Sequence, residues 1–233
     1  MTKKYIEPTN PLALVDNEIY REIIKYPISF NEIIEAELRS QNEINDACDP
    51  IKNSYYYLTI PKNDSTEWGC KYENEFRRRM NRYGEKYMLA FEPGDHNSGE
   101  DLTCNIHQWS IEHKTTQSSS FYNTNSRSRK KESTKYNDPN KKVYYVLVKH
   151  KITNLNNGGA KTSINAIYFG MLSKNDWKNP NGSGAAYLKN DKIKSNFIQI
   201  YDSKIGNTLE YYQNWLDNEY YEKMIELENE TKN

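Results

Sequence analysis

The feature that most constrains this chain is a double alternation between Ser98 and Gln117, SGEDLTCNIHQWSIEHKTTQ. From Asp101 to Ile106 polar and apolar residues alternate, with Asp101, Thr103 and Asn105 on one side and Leu102, Cys104 and Ile106 on the other. From Trp109 to Lys114 the alternation resumes, Trp109, Ile111 and His113 against Ser110, Glu112 and Lys114. A period of two belongs to a β-strand, whose successive side chains point to opposite faces. The two runs read as a hairpin with one core face and one open face. With His107 and Gln108 as the turn, Ile106 faces Trp109, Cys104 faces Ile111 and Leu102 faces His113. That register collects the apolar residues and sets Thr103 opposite Glu112 and Asp101 opposite Lys114. Asp101 and Glu112 become diagonal neighbours, roughly 7–8 Å apart at the backbone. Two carboxylates at that separation can share one hard cation through oxygen ligands, and the adjacent lysine can hold an anionic group or a water. A slip of one residue would bury the carboxylates, so the hydrophobic pattern supports the pairing.

Around this hairpin the periodicities predict a mixed set of elements. Asp16 to Tyr26 and Ser29 to Arg39 read as two helices separated by Pro27. The second opens with the capping-box pattern Ser29-x-x-Glu32 and repeats Phe30, Ile33, Ile34 and Leu38 at helical spacing. Tyr55 to Ile60 reads as a short strand stopped by Pro61. Asp64-x-x-Glu67 opens a stronger helix with Trp68, Tyr72, Phe76, Met80 and Tyr83 along its core-facing stripe. Glu75 lies at the edge of that stripe. It is either a surface partner of Arg79 at i,i+4 or a third carboxylate reaching the hairpin. Tyr87 to Phe91 reads as a strand and Glu92 to Asn97 as a turn. Val143 to Ile152 and Ser163 to Leu172 read as buried strands joined by the Asn156-Asn157-Gly158-Gly159 turn. Ser173-x-x-Asp176 caps a short helix ended by Pro180, Asn196 to Tyr201 is a last strand, and Leu209 to Leu227 is an acidic, Tyr-rich helix. The sum is an α/β (α+β) fold, a central mixed β-sheet flanked by helices. Residues 1–62 read as an N-terminal helical region that packs on the main domain or on a second subunit, and residues 63–233 as the main domain with its C-terminal helix.

Composition narrows the functional classes. The 233 residues are polar, with a mean hydropathy of −1.02, yet 36% are hydrophobic and 20 are Tyr, enough to build a core. The formal net charge is zero, but Ser126 to Lys142 holds seven Lys/Arg against two acids, and Thr208 to Asn233 holds seven acids against two Lys. A neutral protein with a basic block can still meet nucleic acid. Three cysteines without CxxC spacing argue against a disulfide framework. No apolar run approaches a membrane span, so the expectation is a cytoplasmic protein with no membrane partner. The Gly/Asn/Ser-rich loop Asn179 to Gly184 lacks the GxxxxGK[ST] pattern of a phosphate-binding loop. His96 after Asp95 could head a histidine–metal site, but no later Asn and His on a helix complete it. Cys104 with His113 as a nucleophile pair is disfavoured because both fall on the apolar face.

The order of helix with Glu75, strand, Asp101 and then Glu112-x-Lys114 on the following strand resembles the PD-(D/E)XK nuclease superfamily, and within it the type II restriction endonucleases. The resemblance covers about Asp64 to Leu172. It implies a restriction-endonuclease-like core and hydrolysis of phosphodiester bonds in double-stranded DNA. Asp101 and Glu112 would bind Mg²⁺, with the backbone carbonyl of His113 as a further ligand, and Lys114 would orient the attacking water or stabilise developing charge. Glu75 loosely matches a family Glu on the first core helix. The chain departs from the family where Gly99-Glu100 replaces the usual Pro before the Asp, and Pro93-Gly94-Asp95 makes Asp95 a rival for that role. The resemblance also implies a homodimer, whose two-fold axis would match a palindromic site. Asn123, Asn125, Arg127, Arg129, Lys130 and Lys131, just beyond the hairpin, are candidates for DNA contact. The competing class is a non-catalytic DNA-binding or interaction protein that uses the basic 126–142 loop. A pure binder, however, gains nothing from two carboxylates near phosphates.

Overall fold

The structure, a computed structural model, describes residues 11–12, 15, 17–23, 28–52, 65–85, 92–93, 102–104, 109–118, 121–123, 142–156, 159–172, 177–178, 186–188, 190–214 and 217. Three helices come first: α1 (Asn17–Ile23), α2 (Phe30–Ala47) and α3 (Ser65–Glu85). The strands are β1 (Glu92–Pro93), β2 (Leu102–Cys104), β3 (Trp109–Thr116), β4 (Tyr122–Asn123), β5 (Lys142–Asn154), β6 (Ala160–Met171), β7 (Trp177–Lys178) and β8 (Ala186–Leu188). A short helix α4 (Asn190–Asn196) leads into β9 (Phe197–Asp202) and β10 (Gly206–Asn207). Residues 208–214 are again helical.

Seven strands form one mixed sheet in the order β1-β2-β3-β5-β6-β9-β10, with β3 and β5 parallel and the other neighbours antiparallel. The expected α/β architecture with a central mixed sheet is therefore present. One face carries the helices. Ile23, Ile33, Ile34, Ala36 and Ile44 from α1 and α2 join Trp68, Tyr72, Phe76 and Met80 from α3, and Ile111, Tyr144, Val146, Val148, Phe169 and Ile198 from the sheet, in one hydrophobic cluster. This cluster draws on both sides of the 62/63 boundary. The other face holds a second cluster, Phe121, Tyr145, Leu147, Leu172, Leu188 and Phe197, beneath a small sheet of order β4-β8-β7. Among the described residues, helices α1 to α3 thus pack on one face, whereas β4, β7 and β8 form a small sheet at the second. Gly170 is required on β6, because a Cβ there would lie 2.1 Å from the Asn196 carbonyl oxygen and 2.6 Å from the Phe197 ring.

Several expected elements are corrected. Helix α2 runs to Ala47, beyond the expected end at Arg39, because Ser40 and Ile44 continue its buried stripe through a Ser/Asn/Asp-rich stretch of low helix propensity. Its N-terminus is as read: Ser29 Oγ accepts from the Glu32 amide, and the Glu32 carboxylate accepts from the Ser29 amide. Glu92-Pro93 is not part of a turn but pairs as β1 with Thr103 and Leu102, and Trp177–Lys178 is a strand rather than a helix. Pro93 falls on the sheet's edge strand, where a missing N–H is tolerated. Helix α4 was not foreseen. The expected strands at Tyr55–Ile60 and Tyr87–Phe91 lie outside the described residues.

Along its first half, β6 has no strand partner among the described residues on the side where β9 later joins. Helix α2 supplies the missing hydrogen bonds. The Thr162 amide donates to Asn45 Oδ1 (2.7 Å), Asn45 Nδ2 donates to the Thr162 carbonyl (2.9 Å), and the Ile164 amide donates to Gln41 Oε1 (2.5 Å). Thr162 is fully buried. An unmet buried amide costs about 1–3 kcal/mol, so Asn45→Ala is expected to lower unfolding free energy by that amount in urea titrations. An unchanged midpoint would show that this edge finds other partners.

Candidate functional site

Strand β3 carries the residues that the sequence singled out, and its two faces have separate roles. Ile111 belongs to the helix-side cluster, whereas Tyr145 and Leu147, the partners of Glu112 and Lys114 on β5, belong to the second cluster. Alternation along the strand therefore sends Ile111 and His113 to the helices, and Glu112 and Lys114 to the opposite face. There the Lys114 ammonium stands 2.5 Å from the Glu112 carboxylate and donates to the His113 carbonyl at 3.2 Å. The Glu112 side chain is 2% exposed and that of Lys114 is 21% exposed. A carboxylate buried to that degree needs a compensating charge, and Lys114, whose side chain keeps partial solvent exposure, supplies one.

The expected open face is thus a covered one, and the hairpin register also differs. Leu102 faces Ile111, Thr103 faces Ser110 and Cys104 faces Trp109. This is two residues from the expected pairing of Leu102 with His113, and the expected turn at His107 and Gln108 lies outside the described residues. The apolar pattern dictates which face a side chain takes, and a slip of two leaves every face unchanged. Lys114 consequently lies beyond the described β2 pairs and is paired on its other side with Leu147 of β5. Asp101, the residue before Leu102, and its rival Asp95 lie outside the described residues, as do Asn125, Arg127, Arg129, Lys130 and Lys131. Asn123 is the last residue of β4, opposite Ala186.

Two other candidates are placed away from the Glu112–Lys114 face. Glu75 hydrogen-bonds Arg78, which also pairs with Glu43 of α2. Arg79, the expected partner of Glu75, turns instead to Glu43, because the α2–α3 seam holds Arg79 almost fully buried beside it. This ion cluster belongs to the helix layer, across the sheet from Glu112. The His113 side chain likewise faces the helices, so its imidazole is directed away from any ion at Glu112. Only its carbonyl borders that side, and it accepts from Lys114.

What sequence reading missed is the partner of His113. Its Nε2 lies 2.6 Å from Glu37 Oε1, and both side chains are essentially inaccessible to solvent. The imidazole stacks on Phe76 with ring centroids 4.9 Å apart. Nearby, Tyr72 hydrogen-bonds Thr162 at 2.8 Å and packs on His150, with ring centroids 5.4 Å apart. Burial pushes the Tyr72 phenol well above its ordinary value. Burial, with the nearby His113 charge, pulls His150 down to about 4. The signal for Glu37 was in the sequence: Ile33, Glu37, Ser40 and Ile44 recur at i, i+4, i+7 and i+11, which puts a carboxylate in a core stripe. Lys149 of β5 was also missed. It shares the Glu112–Lys114 face, since Thr116 is its partner on β3.

Among the described residues, no group of three or more His, Cys, Asp or Glu could hold a metal ion, and no helix is long and apolar enough to cross a membrane. No protein family matches the chain, and a search of curated proteins likewise finds no match.

Proposed function

We propose that this protein is a Mg²⁺-dependent endonuclease of double-stranded DNA, similar to type II restriction enzymes, acting in the cytoplasm as a homodimer. The observation that carries the reading is the Glu112–Lys114 pair: a nearly buried carboxylate and a half-buried ammonium, 2.5 Å apart, two residues apart on one face of a central strand. Glu112 follows Ile111, and Ile111 faces Leu102, the residue after Asp101. Asp101 itself lies outside the described residues, and in this reading it shares a cation with Glu112. The donor chemistry fits a hard ion, because carboxylate oxygens are the ligands that Mg²⁺ prefers. When bound, Mg²⁺ supplies polarisation of the scissile phosphate and a more acidic water. The protein's own contribution is positional and electrostatic. Glu112 is held in place by Lys114, and the Lys114 ammonium is set to orient the attacking water or to stabilise charge that develops on the phosphate. In chain order the basic segment 126–142 falls between β4 and the start of β5.

Incubation with plasmid is expected to give discrete fragments in Mg²⁺ and none in chelator. Glu112→Gln should cut at least ~10²-fold more slowly, the scale seen when one preorganised electrostatic group is removed. A Glu112→Gln protein that cuts at the wild-type rate would remove the site assignment. If wild type retards DNA on a gel yet leaves it intact in Mg²⁺, the protein is a DNA-binding module instead.

A further inference from the structure

The Glu112–Lys114 face carries a second cation. Lys149 lies on β5 opposite Thr116, two residues beyond Leu147, which is the partner of Lys114. Paired residues of neighbouring strands share a face, so Lys114 and Lys149 are diagonal neighbours on it. The Lys149 ammonium stands 5.8 Å from the centre of the Phe121 ring and 5.5 Å from that of Tyr168. Both rings orient it, because a cation is attracted to an aromatic face.

No carboxylate neutralises it among the described residues, although one is at hand. Across the sheet Lys149 faces Ala166, and Ala166 faces Asp202. Asp202, however, is turned to local donors: Oδ2 accepts from Gln199 Nε2 at 3.1 Å and Oδ1 from the Lys204 amide at 2.9 Å. Lys114 is anchored to Glu112, whereas the partners of Lys149 among the described residues are the Phe121 and Tyr168 rings. A half-buried ammonium attracts an incoming anion more strongly than an exposed one, since the surroundings screen it less. Burial accordingly lowers its pKa.

We infer that Lys149, seated on Phe121 and Tyr168 beside the Glu112–Lys114 pair, is a phosphate-contacting residue that takes a backbone phosphate of the DNA next to the one being cut. This rests on the nuclease reading above and adds to it a second phosphate subsite on the β5 side. Phe121 and Tyr168 are its positioning residues: they set where the ammonium stands without touching the nucleic acid themselves.

The test is binding of duplex DNA by the full chain, followed by fluorescence anisotropy across a salt series with Ca²⁺ in place of Mg²⁺. Lys149→Met is expected to bind roughly three- to tenfold more weakly at moderate salt, with a slope of log affinity against log salt shallower by about 0.9, the loss of one phosphate contact. Lys149→Arg should restore most of the affinity and the slope. With wild type, duplexes carrying one neutral methylphosphonate at a time should show a neighbouring position at which affinity falls, and Lys149→Met should be insensitive there. This second measurement holds even if the Met variant is less stable. A folded Lys149→Met with wild-type slope, alongside a wild type that cuts DNA, overturns the inference and leaves the nuclease reading intact. A wild type that binds with the Lys149-dependent slope but never cuts supports the phosphate contact and overturns the nuclease. A wild type that neither binds nor cuts overturns both.

Discussion

Glu37→Leu is expected to lower the unfolding free energy by about 3–5 kcal/mol, the cost of breaking a buried carboxylate–imidazole pair from one side. Total stability for a domain is only about 5–15 kcal/mol, so this single change would remove a large part of it. The reason is positional. Glu37 of α2 reaches His113 of β3 at 2.6 Å inside a cluster of Trp68, Tyr72, Phe76 and Ile111. Removing the carboxylate takes from a buried imidazole a partner that no water can replace cheaply. His113→Leu should be similarly harmful, because Glu37 would lose its neighbour while its other oxygen, Oε2, has no hydrogen-bond partner among the described residues. The double variant Glu37→Leu/His113→Leu should recover much of the loss, since two apolar side chains can fill the same space without desolvated polar atoms. Urea titrations of all four proteins give the coupling directly. Additive single losses would mean that the pair contributes nothing as a pair.

Stability is expected to fall by about 3 kcal/mol as pH drops from 6.5 to 4, through His150 alone. Burial pulls the His150 imidazole from 6.5 down to about 4 in the folded protein, and the adjacent His113 adds to this. In the unfolded chain it titrates near its ordinary value. Between the two, the unfolded state holds a proton that the folded state refuses, so stability is full above about 6.5 and is lost as pH falls through that window. Each unit of difference is worth about 1.4 kcal/mol. Tyr72 packs on the His150 ring, and neither His150 nitrogen has a hydrogen-bond partner among the described residues. His150→Phe should therefore flatten the profile in this range and hold its urea midpoint at pH 4.5 closer to its value at pH 7. A Phe variant with the same acid slope as wild type would assign the loss to other groups.

Both effects arise where sequence reading was weakest. The stripe Trp68, Tyr72, Phe76, Met80 was readable because all four apolar residues fall on one helical face, and all four are fully buried. The strands at 142–154 and 160–171 were readable from their apolar runs and the Asn-Asn-Gly-Gly turn between them. The face of Glu112 and Lys114 was readable as well, since the side-chain period of two needs only local sequence. Their burial was not, because it depends on β5 pairing alongside β3 and on Phe121, Leu188 and their neighbours covering that side.

Local alternation by itself determined which residues share a face: Glu112 with Lys114, and His113 with Ile111. Only the tertiary structure decided who meets them. The hairpin could slip by two residues at no cost to its pattern, so the pairing of Leu102 with Ile111 had to be settled by the strands around it. Glu37 is separated from His113 by 76 residues, and Lys149 reaches the Glu112–Lys114 face through a parallel pairing that requires a long crossover. Contacts of that kind are made when loops close and layers pack, and no short-range period records them.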